Sequence, residues 1–244
     1  GCVAKTNNTN KCDDGQPCTE NDKCDGAGKC AAGDALCGGS CAKCADGKQC
    51  SANDDCQSGS CVGTTCVAKP VYGANALLIN EVDYDQAGSD TAEFIEIYNP
   101  ATVAVELSSF TVEHVNGGNG NVVWSLPLSN AGATLAGGGY MVLCAKAVCD
   151  ALPAGIAFID LGGKARQNGA PDGVRLMVDG KRIDGVAYEG TMVGVGEGGA
   201  APADTGDGSI ARCPNGANTD DNSVDFKVTK VATPGLLNVC VVVP

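Results

Sequence analysis

A single histidine, one tryptophan and four phenylalanines in 244 residues narrow the chemistry open to this chain. A serine or cysteine hydrolase needs a nucleophile with a base in hydrogen-bond reach. The sole imidazole, His114, ends an expected strand ahead of Asn116-Gly-Gly-Asn-Gly120, and no GxSxG occurs anywhere. It reads as a surface histidine beside a hairpin loop. Basic charge is short as well: 16 Lys and Arg stand against 29 Asp and Glu, a formal net charge of −13, most of it beyond Pro70. Nucleic acid bound through its phosphates needs the opposite sign. No run of eighteen apolar residues is present, so no transmembrane segment is expected. The opening Gly1-Cys2-Val3-Ala4-Lys5 lacks the basic head and apolar stretch of a signal peptide. The expectation is an extracellular or cell-surface protein exported by a signal peptide no longer part of the chain.

Leu, Ile and Phe are nearly missing from the first 66 residues, and twelve of the sixteen cysteines stand there instead: Cys2, Cys12, Cys18, Cys24, Cys30, Cys37, Cys41, Cys44, Cys50, Cys56, Cys61 and Cys66. Cys12, Cys18, Cys24 and Cys30 recur as Cys44, Cys50, Cys56 and Cys61, with Asp14/Asp46, Gly15/Gly47, Asn21/Asn53 and Asp22/Asp54 in register. A segment without the makings of a core must be cross-linked. Zinc sites use close thiolate pairs or add histidine, whereas the only CxxC is Cys41-Ala-Lys-Cys44 and His114 lies far away. The even count and five-residue spacers fit disulfides, which place the chain outside the reducing cytosol. Lipoprotein processing leaves cysteine as residue one, so Cys2 is assigned to a disulfide. All sixteen cysteines, including Cys144, Cys149, Cys213 and Cys240, are expected to be oxidised. The expected pairs are Cys12–Cys24, Cys18–Cys30, Cys44–Cys56, Cys50–Cys61, Cys144–Cys149 and Cys213–Cys240.

Cysteine density collapses near Ala68-Lys69-Pro70-Val71, which divides the chain into a disulfide-rich module (1–68), a linker (69–75) and a second domain (76–244). The second domain reads as short strands between turn residues: Leu77–Val82, Phe94–Tyr98, Ala104–Leu107, Phe110–His114, Val122–Leu126, Tyr140–Cys144, Ile156–Asp160, Val174–Val178, Arg182–Ala187 and Ser209–Arg212. Asp179-Gly180 between two alternating runs is the chemistry of a type I′ hairpin turn. No apolar stripe at helical spacing occurs. An all-β fold, an antiparallel sandwich without crossover helices, is the expectation.

Leu78-Ile-Asn-Glu-Val, Glu93-Phe-Ile-Glu-Ile-Tyr-Asn-Pro100, Val105-Glu-Leu-Ser-Ser-Phe110, Thr134-Leu-Ala-Gly-Gly-Gly-Tyr-Met-Val-Leu143, Ser209-Ile-Ala-Arg212 and Thr233-Pro-Gly-Leu-Leu-Asn238 follow one another in an order that resembles the lamin-tail domain. The similarity runs from about residue 76 to 239. It implies an immunoglobulin-like β-sandwich of the kind bacteria attach to secreted and surface proteins, without catalytic activity of its own. Cys144, Cys149, Cys213 and Cys240 depart from that pattern. The amino-terminal module more loosely resembles the short Asp-Gly-Cys repeats of secreted bacterial surface proteins.

Three constellations invite chemistry. Gly194-Val-Gly196-Glu-Gly-Gly199 matches a dinucleotide fingerprint in letters, but Ala200-Ala-Pro-Ala follows where a phosphate-binding helix is required. Glu81 and Asp83 share a strand face while Glu93 and Glu96 point to opposite faces, and nothing sets one carboxylate across from another as a glycosidase needs. The resemblance implies that Asn80, Glu81, Glu93 and Glu96 are structural. Asn218, Asp220, Asn222 and Asp225 gather hard oxygen donors suited to calcium, although Ser223 and Thr229 fail the EF-hand positions; the same side chains also cap turns. No other cofactor is expected. The functional expectation is self-assembly or adhesion in an extracellular fibre or surface layer, the apolar tail Val239–Pro244 pairing with an edge on a neighbouring copy. The alternatives are capture of a glycan or envelope polymer, with or without calcium, and an accessory region of a secreted hydrolase.

Overall fold

The computed structural model describes residues 2–4, 10–69, 71–164, 169–206 and 208–241. The chain separates into two compact units, Gly1–Val71 and Tyr72–Pro244.

In the first unit cross-links take the place of a core. Its strands are two residues long, and the buried side chains are mainly cysteines: Cys56 and Cys66 are wholly enclosed, with Cys50 and Cys24 nearly so. Six disulfides join Cys2–Cys24, Cys12–Cys30, Cys18–Cys41, Cys37–Cys44, Cys50–Cys61 and Cys56–Cys66. This corrects three expected pairs, Cys12–Cys24, Cys18–Cys30 and Cys44–Cys56. The reason is visible in two hairpins. Cys24 lies opposite Cys30 and Cys61 opposite Cys66, and each hairpin sends its two sulfurs to two cysteines upstream. The structural repeat is therefore a hairpin with two anchors. It is offset from the sequence repeat, which aligns Cys24 with Cys56 and Cys30 with Cys61. Cysteines outside the repeats, Cys2, Cys37, Cys41 and Cys66, complete the set.

The second unit is a sandwich of two sheets. Its elements are β1 (Leu78–Asp83), β2 (Phe94–Tyr98), β3 (Val105–Glu106), β4 (Phe110–Asn116), β5 (Val122–Pro127), β6 (Thr134–Leu135), β7 (Tyr140–Cys144), α1 (Lys146–Ala151), β8 (Ala157–Asp160), β9 (Asp172–Val178), β10 (Lys181–Tyr188), β11 (Ser209–Arg212), α2 (Asn222–Asp225) and β12 (Phe226–Thr229). One sheet runs β8-β7-β2-β1-β11-β12, the other β5-β4-β9-β10, and β3 pairs with β6. Ile79, Ile95, Ile97 and Leu143 from the first meet Phe110, Val112, Leu176 and Val186 from the second in one core. At the β9–β10 turn, Asp179 and Gly180 both have positive φ, 48° and 76°, as a type I′ turn requires.

Two features depart from the antiparallel expectation. β7 and β8 are parallel, and the short helix α1 makes the crossover between them. Cys144–Cys149 joins the end of β7 to that helix. Tyr72 and Asn75, assigned above to a linker, touch the sandwich: the Tyr72 ring lies 4.8 Å from Phe110, its hydroxyl accepts the Glu106 amide at 3.0 Å, and Asn75 Oδ1 accepts from Asn218 Nδ2 at 2.5 Å.

A β-bulge in β1 sets up everything that follows. Ile79 pairs with Ile97, but the next pair is Glu81 with Glu96, leaving Asn80 as the extra residue. Side chains alternate along a strand, so without the bulge Glu81 would point into the core beside Ile79. The inserted residue reverses the phase. Glu81 and Glu96 emerge together on the outer face of the six-stranded sheet, while Val82 and Ile95 return to the core.

Candidate functional site

Opposed carboxylates are what the strand reading above did not find, and the bulge supplies them. Glu81 and Glu96 are cross-strand neighbours and fully buried. Burial pushes both carboxyls up from their ordinary range, Glu96 to about 8, and the Glu81 charge raises Glu96 further. Two such groups facing a cleft would be the beginning of acid–base machinery. Here they face a lid of the chain itself.

The segment Val231–Val241, called the strap below, crosses this face and takes up the carboxyl oxygens one by one. Glu81 accepts from the Thr233 amide at 2.9 Å, the Thr233 hydroxyl at 2.8 Å and the Ser209 hydroxyl at 2.5 Å. Ser209 Oγ lies 2.9 Å from Thr229 Oγ1, which ties in β12. Glu96 accepts from Asn80 Nδ2 at 2.8 Å and from the Gly235 amide at 2.7 Å, with the Leu236 amide adding to its stabilisation. Gly235 has φ +83°, a conformation that favours glycine, and a side chain there would crowd Ile156 at 3.0 Å. Asn238 completes the clasp, donating to the carbonyls of Asn80 at 3.1 Å and Arg212 at 2.9 Å. Cys240–Cys213 fixes the far end. With their oxygens occupied in this way, the two glutamates hold the strap.

Two of the expected calcium ligands, Asn218 and Asp225, are claimed by a different cation. Arg212, buried on the core side of β11, donates to Asp184 at 2.8 Å, to Asp225 at 3.0 Å, to Asn218 Oδ1 at 3.1 Å and to the carbonyls of Ile79 and Ala217, each at 2.8 Å. Its guanidinium also lies 4.7 Å from the centre of the Phe226 ring. Asp225 accepts in addition from the Thr219 amide and hydroxyl. Asn222 is turned elsewhere: buried, it accepts the amides of Ala187 and Glu197 and donates to Gly185 O at 2.9 Å. Asp220 is exposed, in a left-handed turn. Asn218 and Asp225 thus share Arg212, Asn222 serves β10 and the glycine-rich segment, and Asp220 is exposed. A charge of the same sign, already inside the protein, uses the donors. Beside it, Glu197 binds Arg182 at 2.8 Å, and burial with the nearby Asp184 charge pushes its carboxyl up to about 7.

The remaining candidates have structural surroundings. His114 is buried, not a surface residue: its ring stacks on Trp124 at 5.4 Å and its Nε2 lies 3.3 Å from the Tyr188 hydroxyl. Alternation along β4 carries the signal for this, since His114 shares the inward face with Phe110 and Val112. The glycine-rich Gly194–Gly199 segment packs on α2, with Glu197 N and Gly199 N donating to Asn222 and Asp221. In the module, Asp13, Asp14 and Asp22 bring carboxylate oxygens within 4.8 Å of one another. Asp22 already accepts the amides of Asp14 and Gly33. These bonds, the Asp14 amide first, hold its carboxyl below the usual range. A cleft of about 400 Å³ beside them is lined by Gln16, Thr19, Glu20 and Asn21.

Residues 70–190 match the family model of the Lamin Tail Domain. The match takes in both glutamates of the clasp and ends before Arg212 and the strap. No curated protein matches the chain.

Proposed function

We propose, from a chain that carries a lamin tail domain behind a disulfide-stapled module, that this protein is a non-enzymatic structural subunit of an extracellular fibre or surface layer, working by self-assembly or adhesion. The observation that carries the reading is the clasp: the most chemically suggestive pair of groups, Glu81 and Glu96, is spent on holding the strap. Eight disulfides among the described residues, and no free cysteine, suit an oxidising compartment. Among the described residues no helix is long and apolar enough to cross a membrane. Calcium is not part of this reading, because Arg212 engages the loop that would bind it.

In this reading the strap, as far as Val241, is not a donated strand. Cys240 is bonded to Cys213, and Val241 O accepts the Lys230 amide at 3.3 Å, so the strap is tied to its own sandwich as far as Val241. Val242–Pro244 lie outside the described residues. Negative-stain imaging of the oxidised protein tests the reading: filaments, sheets or discrete oligomers support it, and monomers at every concentration refute it. A second reading, capture of a glycan, is favoured by the polar cleft at Gln16–Asn21, whose amides and carboxylates suit sugar hydroxyls. Glycan-array binding lost in Asn21→Ala, by a protein that remains monomeric, would select it.

A further inference from the structure

The strap carries its polarity in reverse. Thr233 and Asn238 face inward and make the hydrogen bonds of the clasp, whereas Leu236 and Leu237 are 52% and 65% exposed and Val239 is 44% exposed. Val231 and Val241, at its two ends, are each 55% exposed. Apolar side chains in a surface segment ordinarily turn toward the core. Here they cannot, because the inward positions belong to groups that satisfy buried carboxylates. The outward face also adjoins a second apolar area. Gly235 lies against Ile156, and Ile156 with Val148 and Leu152 packs, partly buried, around Phe94 and Val142 on the same side of the sheet.

Charge selects the occupant. From Val231 to Pro244 there is no charged residue, in a chain whose net charge is −13. Two copies repel over most of their surfaces and can approach closely where neither bears charge. A cationic partner would be drawn to the acidic surface instead of to this face. The exposed side chains of the strap amount to an apolar patch on the order of 400 Å², roughly half of what each partner contributes to a standard interface. Because the clasp and Cys213–Cys240 already hold the backbone, docking orders only side chains.

We infer that the outward face of the strap is a contact between two copies of this chain, meeting strap to strap about a two-fold axis with Leu236 and Leu237 at its centre. The same patch serves both partners, so the contact closes on itself and by itself yields a dimer, the unit from which a fibre or layer is built through further contacts. This deepens the reading as a self-assembling subunit and rests on it.

Sedimentation velocity of the oxidised, full-length protein over a wide concentration range is the test, with melting temperature as the control for folding. Wild type should show a concentration-dependent dimer. Leu236→Glu with Leu237→Glu should weaken it about a hundredfold or more without changing the melting temperature. Leu236→Ser with Leu237→Ser carries the test should the charged variant lose its fold. A folded variant that dimerises as wild type does overturns the strap contact and leaves self-assembly standing. Wild type that stays monomeric throughout overturns both. Monomers that co-float with uncharged phosphatidylcholine vesicles assign the face to lipid and overturn the two-fold contact.

Discussion

The two units of this chain reach a fixed structure by opposite means. In Gly1–Val71 the apolar residues are too few to form a core and six disulfides hold strands two residues long. In Tyr72–Pro244 a single core from two sheets is large enough that several charged groups are buried inside or against it. Cross-links act chiefly by restricting the unfolded chain, whatever its side chains. A core that buries charge needs every partner in place, since a carboxylate or guanidinium left alone in the interior is costly. One unit is therefore sensitive to reductant, and the other to the loss of single polar side chains.

Reduction should produce the largest difference between them. Each bridge contributes about 2–4 kcal/mol, so breaking all six should unfold the module, while the sandwich, which loses only Cys144–Cys149 and Cys213–Cys240, keeps its sheets. Limited proteolysis with and without reductant reads this directly: cuts should appear before Val71 first. Equal resistance in both units would break the contrast.

Within the sandwich, Arg212→Met should cost about 3–5 kcal/mol in urea unfolding, because it leaves Asp184 and Asp225 buried without their counter-charge. A loss under about 1 kcal/mol, the range of surface pairs, would mean the network is solvated.

The pH dependence should be smaller and has a definite sign. Glu96 is raised by burial from 4.5 to about 8, and Glu197 to about 7. Between the unfolded and folded values the native state binds more protons, so this contribution to stability is full below about 4.5 and is lost as pH rises through 7 and 8. Melting temperature should therefore fall from pH 5 to pH 9, and Glu96→Gln should flatten the slope. A rise over that interval would contradict the burial of the carboxylate. Calcium should have the least effect: chelator and millimolar calcium should give the same melting temperature, and a calcium-dependent rise abolished by Asp220→Ala would restore the metal reading.

Most strands of the sandwich were legible from alternation and turn residues, and Asp179-Gly180 marked its hairpin outright. β12 was missed because Phe226-Lys-Val-Thr229 follows a polar loop without a turn signal of its own, and the parallel β7–β8 pair because α1 is too short to show a helical stripe. The opposition of Glu81 and Glu96 depends on one extra residue at Asn80, and nothing in Leu-Ile-Asn-Glu-Val announces a bulge. The same holds for the loop around Asn218: its oxygen donors were visible, but their partner Arg212 is defined by tertiary structure alone. Disulfide connectivity was legible where few choices exist, at Cys144–Cys149 and Cys213–Cys240; the rule that gave Cys50–Cys61 also gave Cys18–Cys30, which does not form. In the rest of the module, spacing cannot tell which upstream cysteine a hairpin reaches.

Amide hydrogen exchange at Thr233 and Gly235 bears most directly on the central claim, that the paired carboxylates are a clasp and not a catalyst. Both amides donate into buried oxygens, at 2.9 Å to Glu81 and 2.7 Å to Glu96. They should exchange as slowly as the amides of β1, opening only with the sandwich as a whole, and Glu81→Ala should release them. Exchange at the rate of an open loop would mean that the strap leaves Glu81 and Glu96 free to solvent and substrate, and would return them to the list of catalytic candidates.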